Sequence, residues 1–366
     1  MNLHHVIPAE DRLTFLSCRR AWDFAARERG NREPARPTQL VELDQAIRDA
    51  LAVYYFPGMW DWAPTIVLPL VRQAFAKSIA ARRSEYLVAH QLTDLPPDLM
   101  RSASERAELG LAIVEAYLGW APTVDEFAPL KVATEIDVQV PDPRRPGRDL
   151  GVGMRPVRYR DRADLLAMDG ENGYWMVEHR FVRGVWPDPE AVLRDDRCLS
   201  WCWAWEQDNP GLHVKGTIYN ELLVDEPVIT SPPRGPRSTV AQHGGGGAVP
   251  EMWETTSVEY DLRIQLGDGF RRVQVPRQQV EVAAFGERLA DQLSEMIDPA
   301  TRPYPNPSTT RCELCEFRQP CLALDVGHDA ESMLAQSYRD RRHEVKAGTL
   351  GARIWSSGRG AAPPTP

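Results

Sequence analysis

Three cysteines near the carboxyl end constrain the fold of this 366-residue chain more than any other feature. Cys312, Cys315 and Cys321 follow the pattern C-x2-C-x5-C in a short, proline-flanked segment. Such a segment can wrap a metal, and we expect it to have little helical or strand character of its own. Thiolates select zinc or iron–sulfur clusters, and both centres usually take four ligands. The fourth ligand must therefore come from elsewhere in the chain.

The other cysteines and a histidine leave several alternatives for that ligand. Cys18 stands in Leu-Ser-Cys-Arg-Arg-Ala-Trp at the start of the first helical region, so a ligand there would join the two ends of the chain. A histidine such as His328 could instead complete a zinc site. The three late cysteines could also be unrelated structural residues. Cys198 and Cys202 are spaced i, i+4 among several tryptophans, a pattern that favours packing within a helix.

The composition is that of a globular protein, with 43% hydrophobic and 26% charged residues. Six cysteines are too dilute for a secreted disulfide scaffold. No apolar run approaches the roughly 18–20 residues that cross a membrane, and the first residues lack the layout of a signal peptide. We therefore expect a cytoplasmic protein without a membrane partner. The net charge of −9 argues against nonspecific coating of nucleic acid but allows a local basic groove.

The periodicity of apolar residues predicts an α/β fold with a mixed sheet. Helical spacing covers residues 40–55, 66–79 and 103–118 in a helical opening of about 120 residues. Strand patterns follow at 131–140, 157–168 and 174–182, the last two joined by a turn at 169–173. A helix is predicted from Pro189 to about Asp208, and a strand at 212–224. A hairpin at 258–265 and 270–275 turns on Gly267-Asp268-Gly269 and precedes a helix at about 278–296.

These patterns divide the chain into five segments. We expect a helical N-terminal region at 1–125 that carries Cys18, and an α/β core at 126–227. Residues 228–252, with a four-glycine run, are predicted to form a flexible loop. Residues 253–346 are expected to carry the second hairpin, a helix and the cysteine segment, and to pack back on the core. Residues 347–366 are predicted to be a disordered tail.

Acidic residues on two neighbouring strands form the second informative feature. Glu178 and Arg180 point to one face of their strand because side chains alternate with period two. Asp164 lies on the preceding strand, and hairpin pairing can bring its carboxylate beside that of Glu178. Two such carboxylates could hold Mg²⁺ or Mn²⁺, which positions a water and polarises a phosphate. The alternative is a solvated acidic surface.

The combined pattern resembles the PD-(D/E)XK nuclease superfamily, in particular its iron–sulfur RecB-like and AddB-like exonucleases. The match includes the Cys-Arg-Arg-Ala-Trp start, the Cys-Glu-Phe context, and an aspartate followed by a Glu-x-Lys-like strand. It extends over most of residues 11–325 through scattered motifs. The resemblance implies a restriction-endonuclease-like sheet and a [4Fe–4S] cluster that clamps the domain through Cys18, Cys312, Cys315 and Cys321.

The resemblance also implies an activity and its residues. Asp164 and Glu178, with Glu135 and the backbone carbonyl of His179, would hold one or two Mg²⁺ or Mn²⁺ ions. A metal-bound water would attack a DNA phosphodiester, and Arg180 would compensate the developing charge. DNA would be the substrate, and a helicase or another DNA-processing subunit a further partner.

Four positions depart from the family pattern, and three of them carry arginine. Arg180 replaces the usual lysine, Arg48 a histidine, Arg197 a glutamine and Trp201 a tyrosine. Arginine keeps the positive charge but does not release a proton near neutral pH. Arg48 and Arg197 could then contact phosphate, in a pocket that binds DNA without cutting it. The sequence therefore leaves three alternatives open: a nuclease, a non-catalytic nucleic-acid-binding or assembly subunit, and a zinc-stapled interaction protein.

Overall fold

The computed structural model describes residues 4–36, 40–152, 155–224 and 262–341. The strands in these ranges are β1 (His5–Pro8), β2 (Arg32–Pro34), β3 (Phe127–Gln139), β4 (Gly151–Val152), β5 (Arg155–Asp169), β6 (Tyr174–Val182), β7 (Val214–Leu223), β8 (Arg263–Gly267), β9 (Phe270–Pro276) and β10 (Tyr338–Asp340). The helices are α1 (Ala9–Ser17), α2 (Arg19–Ala25), α3 (Leu43–Tyr54), α4 (Pro64–His90), α5 (Pro97–Trp120), α6 (Asp196–Asp208), α7 (Gln279–Ile297), α8 (Thr309–Glu313), α9 (Arg318–Asp325) and α10 (Ala330–Ser337).

One large mixed sheet organises these elements. Its strands follow the order β1-β5-β6-β7-β9-β8, and β3 and β4 also pair with β5. The β1–β5 and β6–β7 pairs are parallel, whereas β3–β5, β5–β6, β7–β9 and β8–β9 are antiparallel. The two predicted hairpins, β5–β6 and β8–β9, are both present. The predicted α/β class with a mixed sheet is therefore confirmed.

Helices cover both faces of the sheet because its central strands carry apolar side chains on both sides. On one face, residues of α1, α6 and α7 such as Phe15, Trp201 and Phe285 pack against β5, β6 and β7. On the other face, α3, α4 and α5 bury Ile47, Phe75 and other side chains against the same strands. The helices of the N-terminal region thus share a hydrophobic core with the sheet.

An interruption in the pairing of β5 marks the centre of the fold. β3 pairs with β5 along most of its length, so β1 and β6 must share the opposite edge of that strand. β1 pairs there with residues 157–160 and β6 with residues 165–168. Residues 161–164 lie between these two ladders, and no described strand pairs with their backbone on that edge. The side chains of Asp161, Arg162 and Asp164 are therefore placed at a break in the sheet.

Three sequence-based expectations about secondary structure were wrong. The helical opening also contains β1, which pairs with β5 from His5 onward. The helix predicted from Pro189 to Asp208 is broken at Asp195, after a 3₁₀ turn at Pro189–Arg194. The backbone of Asp195 is extended, and its carboxylate accepts hydrogen bonds from the amides of Arg197 and Cys198, so a new helix begins there. The cysteine segment, expected to be irregular, forms the short helices α8 and α9.

Two predicted segments lie wholly outside the described ranges, and a third lies partly outside them. The loop predicted at 228–252 and the tail predicted at 347–366 are among residues that the structure does not describe, as are residues 258–261 of the predicted hairpin. Among the helices that are described, none is both long and apolar enough to cross a lipid bilayer.

Candidate functional site

Asp164 is bound by a guanidinium group at the break in the sheet. Its Oδ2 accepts a hydrogen bond from the backbone amide of His179 at 2.9 Å. Arg48 reaches the same oxygen from α3, with Nε at 3.4 Å, and its Nη2 donates to the carbonyl oxygen of His179 at 2.8 Å. The Arg48 guanidinium also stacks over Phe181 at 4.6 Å. One side chain thus contacts both the Asp164 carboxylate and the His179 carbonyl, which were predicted as metal ligands.

Glu178 lies beyond the last β5–β6 pair, Leu165 with Val177, and is 4% exposed. Arg180 donates to Glu178 Oε2 through Nη2 at 3.0 Å, as the shared strand face predicts. The same guanidinium forms an ion pair with Asp195, the residue that begins α6. It also lies over the ring of Tyr219, which is 4.7 Å away. Arg180 is thereby held between two carboxylates in a buried setting.

Two further arginines at this site, Arg197 and Arg162, form fewer hydrogen bonds and ion pairs with the carboxylates. Arg197 Nη1 is 3.7 Å from Glu178 Oε1, beyond hydrogen-bond distance, and Arg197 Nε is buried without a hydrogen-bond partner in the described chain. Arg162 faces Glu135 across the β3–β5 ladder. Burial lowers the pKa of Arg162, while Asp49, Asp164 and Glu135 act in the opposite direction. In the described residues Arg162 makes no side-chain ion pair within 4 Å.

The carboxylates do not fit a divalent cation as they are arranged. Asp164 and Glu178 each have a guanidinium within 3.4 Å, and the His179 carbonyl is already bonded to Arg48. Mg²⁺ and Mn²⁺ need oxygen ligands that are open to the ion. An incoming ion would have to displace Arg48 from Asp164 and Arg180 from Glu178. Asp164, Glu178 and the His179 carbonyl therefore form an arginine-neutralised site. Glu135, the fourth member of the predicted set, is exposed and has no ion pair within the described chain.

A different group of metal-ligating atoms is the tightest in the described part of the chain. Single ligand atoms of Glu178, Asp195 and Cys198 lie within 4.8 Å of one another. Burial raises the pKa of the Cys198 thiol well above its usual value, and the charge of Glu178 raises it further. The sulfur is therefore protonated, and Arg180 already bridges the two carboxylates. These three residues form a charge-paired packing cluster.

His179 connects the site to a buried polar network. Burial lowers the pKa of His179 to about 4, so its ring is neutral at physiological pH. Its Nδ1 lies 3.4 Å from Asn220 Nδ2, and Asn220 Oδ1 accepts from Arg272 Nε at 2.6 Å. Arg272 pairs with Asp125 at 2.6 Å, and its side chain is 2% exposed. Tyr55 stacks against His179, with ring centres 5.6 Å apart.

The four predicted cluster cysteines converge at one end of the molecule. The segment before Cys312 is tied to the end of α1, because Arg311 Nη1 donates to the carbonyl of Ser17 at 2.6 Å. The backbone amide of Asn306 points to Cys18 Sγ at 3.5 Å. Arg20 Nη1 approaches Cys321 Sγ at 3.6 Å.

Cys315 lies within electrostatic reach of Cys18 and of the other two late thiols. Burial raises the pKa of the Cys315 thiol, and the neighbouring thiols Cys18, Cys321 and Cys312 raise it further. The Ser308 amide contacts Cys312 Sγ at 3.4 Å, and Cys315 and Cys321 pack beside a small cluster of Phe24, Phe317 and Leu334. Contacts around the four cysteines thus join the α1–α2 region to the segment that contains α8 and α9.

The spacing of the sulfurs bears on which centre they could hold. In the described chain no three of the four sulfurs lie within 4.8 Å of one another, since the one such group is the Glu178 cluster. A zinc tetrahedron with bonds of about 2.3 Å needs sulfurs about 3.8 Å apart. Amide and guanidinium hydrogen bonds to sulfur are the contacts that tune thiolate ligands of iron–sulfur clusters. Amide and guanidinium donors thus contact three of the four sulfurs, those of Cys18, Cys312 and Cys321.

Sequence reasoning missed two contributors to the site. Asp195 pairs with Arg180, and the Asp-Asp pair before α6 was an available N-cap signal. Asp161 lies in the break of the sheet and accepts from Trp201 Nε1 at 2.7 Å. Burial raises the pKa of Asp161 to about 6. Its contact with Trp201 had no signal in the sequence, because it joins residues on separate elements.

Comparison with known proteins adds little to this geometry. No protein-family model matches the chain, and no curated protein matches it. A solved structure described as "Crystal structure of SSO0001" aligns with 62% of this chain and 81% of its own chain at 14% identity. The TM-score of that alignment is 0.29, which is too low to support any inference.

Proposed function

We propose that the protein is a non-hydrolytic DNA-binding subunit with a restriction-endonuclease-like fold and an iron–sulfur centre. The observation that carries this proposal is the position of Arg48. Its guanidinium contacts the Asp164 carboxylate and the His179 carbonyl together. In this proposal the Arg48 guanidinium takes the position at which a nuclease would hold a divalent ion.

The chemistry of arginine supports binding over cleavage. Hydrolysis of a phosphodiester requires an activated water, which metal sites supply by lowering the pKa of that water. Arg48 and Arg180 balance the charges of Asp164 and Glu178, but a guanidinium neither polarises a water in this way nor accepts its proton. His179, whose pKa is lowered to about 4, is turned toward Tyr55 and Asn220 in the buried network.

Arg197 and Arg162 are the groups best placed to contact DNA phosphate. The Arg197 side chain is 36% exposed although its Nε is buried, and Arg162 makes no ion pair in the described chain. Guanidinium groups bind phosphate oxygens in a bidentate way and position a protein on nucleic acid without reading its sequence. We expect a modest, salt-dependent affinity, in keeping with a net charge of −9.

The binding test uses fluorescence anisotropy with labelled single- and double-stranded oligonucleotides in EDTA. Arg197→Ala should weaken binding about tenfold. It should also reduce the slope of log affinity against log salt concentration by about one, the value for one lost phosphate contact. Arg101→Ala removes an equal charge from an exposed position on α5 and serves as the matched control. Absence of binding by the wild-type protein at low salt, or equal effects of the two variants, would contradict the proposal.

The metal test asks whether Arg48 takes the place of an ion. Wild-type protein should bind no Mn²⁺ at Asp164, as followed by electron paramagnetic resonance. Arg48→Ala frees the carboxylate and the carbonyl, and should gain a Mn²⁺ site that the added change Asp164→Asn removes. Mn²⁺ binding by the wild type that is lost in Asp164→Asn would refute the proposal.

A metal-dependent deoxyribonuclease is the second candidate function. It is favoured by the gathering of Asp164, Glu178, Arg180 and the His179 carbonyl at one break in the sheet. Mg²⁺ or Mn²⁺ would supply the Lewis acid once the guanidinium groups moved aside. DNA cleavage by the wild type that disappears in Glu178→Ala would establish this candidate and eliminate the first.

The proposed centre is a [4Fe–4S] cluster held by Cys18, Cys312, Cys315 and Cys321. Its role would be to join α1 and α2 to the carboxyl-terminal helices, beside which a helicase or another DNA-processing subunit could assemble. Anaerobically purified protein should be brown and contain iron and sulfide, and Cys18→Ala should lose both. A colourless preparation with one zinc per chain would instead support the zinc-stapled interaction protein.

A further inference from the structure

A cavity of about 530 Å³ lies on the face of the sheet that α3, α4 and α5 cover. It is formed by the end of α3, the turn that leads into α4, the start of α4, the end of α5 and the segment between α5 and β3. Val67, Leu68 and Leu118 contribute an aliphatic wall. Its volume is within the range of pockets that bind small organic ligands.

Aromatic rings line one side of this cavity. Tyr54 and Trp60 meet edge to face with ring centres 6.0 Å apart, and Trp60 stacks on Tyr55 at 5.7 Å. Trp62, two residues further on, also lines the cavity and is 45% exposed. Aromatic faces carry negative electrostatic potential, and rings set at an angle to one another can surround a cation.

The charged groups of the cavity are all acidic. Among the described residues, its lining includes Asp61, Glu115 and Asp125 and no lysine, arginine or histidine. Asp125 is neutralised from behind by Arg272, and Glu115 pairs with Arg72 at 2.6 Å. Asp61 is exposed and has no ion pair or hydrogen bond from its side chain within the described chain. The carboxylate of Asp61 therefore has no positively charged partner in the described chain, and it lies in the same lining as the aromatic rings.

We propose that this cavity binds an organic ammonium cation. A compact alkylammonium group would lie against Trp60, Trp62 and Tyr54, and its charge would be balanced by Asp61. An anion would be repelled by Asp61, and a neutral ligand of the same shape would leave Asp61 without a counterion. The same headgroup occurs in free small molecules and in alkylated lysine side chains of proteins. This inference stands independently of the proposed DNA binding.

The test compares choline with 3,3-dimethylbutan-1-ol, which has the same shape without the charge. Isothermal titration calorimetry on the full-length protein should show binding of choline at least about tenfold tighter than of the neutral alcohol. Equal binding of the two, or no detectable binding of choline at millimolar concentration, would overturn the proposal. Titration with N-acetyl-trimethyllysine methylamide distinguishes a free small molecule from an alkylated lysine. Tighter binding of this peptide mimic than of choline would identify a protein with an alkylated lysine as the ligand.

Variants at exposed lining positions locate the site without disturbing the core. Trp62→Ala and Asp61→Asn should each weaken choline binding about tenfold. Asp98→Asn, an exposed change of equal charge on α5, should leave it unchanged. Unaltered thermal unfolding shows that the variants remain folded, and choline binding that neither lining variant weakens would refute the assignment to this cavity.

Discussion

Removal of Arg272 tests the buried network that links the break in the sheet to the aromatic cavity. The side chains of Arg272 and Asp125 are 2% and 1% exposed, and they are joined at 2.6 Å. Arg272 also donates to Asn220 Oδ1 at 2.6 Å and to the Val124 carbonyl at 2.8 Å. Arg272→Met keeps most of the side-chain volume but removes the guanidinium from two buried acceptors and from the Asp125 carboxylate, which keeps only the Tyr55 hydroxyl as a donor within the described chain.

The expected cost is large for one substitution. Breaking a buried ion pair by removing one partner costs about 3–5 kcal/mol, and each orphaned acceptor adds about 1 kcal/mol or more. A loss of about 5 kcal/mol is a third or more of the stability of an ordinary domain. The effect should also depend on pH, since burial raises the pKa of Asp125 even beside Arg272. Without the arginine this pKa rises further, so stability is lost as pH rises from about 4.

Urea unfolding of four proteins measures these effects: wild type, Arg272→Met, Asp125→Leu and the double variant. The double variant removes the unpaired charge, so it should be about 2 kcal/mol more stable than the sum of the single changes predicts. Tyr55 would keep its hydrogen bond to Tyr117 at 2.8 Å. A loss below about 1 kcal/mol in Arg272→Met, or strictly additive changes, would refute the reasoning.

Two further predictions concern stability. Burial raises the pKa of Asp161 to about 6, so the folded state binds its proton more tightly and stability falls as pH rises from about 4 to 6. Asp161→Asn can still accept a hydrogen bond from Trp201 Nε1 and should remove this loss, which is on the order of 2 kcal/mol of unfolding free energy between pH 4 and 6. The measurement is the Tm of the variant and of the wild type at each pH. Gly286→Ala places a methyl 2.1 Å from Trp203 Nε1 and should cost about 1–3 kcal/mol in urea unfolding, whereas Gly119→Ala, with open space around it, should be neutral or stabilising. Equal effects of the two glycine changes would contradict the packing of α7 on α6.

The local elements were largely predictable, because short-range patterns specify them. Alternation of apolar residues and the turn at 169–173 predicted the β5–β6 hairpin, and the Gly267-Asp268-Gly269 turn predicted β8–β9. The break before α6 was not predicted, since a single capping carboxylate, that of Asp195, outweighed a continuous helical pattern. Strand β1 was missed because four residues carry too little periodicity to be recognised until β5 lies beside them.

The candidate site was predictable in its residues but not in its arrangement. The amino-acid sequence by itself determined which acidic, basic and sulfur-containing residues the chain has, and which of them share a strand face, as Glu178 and Arg180 do. Only the tertiary structure decided that Arg48 lies on Asp164 and that residues 161–164 fall in a break between β1 and β6. The nearness of Cys18 to the late cysteines had been implied by the resemblance and not by any spacing along the chain. The physical reason is that spacing along a strand or helix follows from local backbone geometry. The position of a guanidinium or a thiol relative to groups more than 100 residues away depends on how whole layers pack.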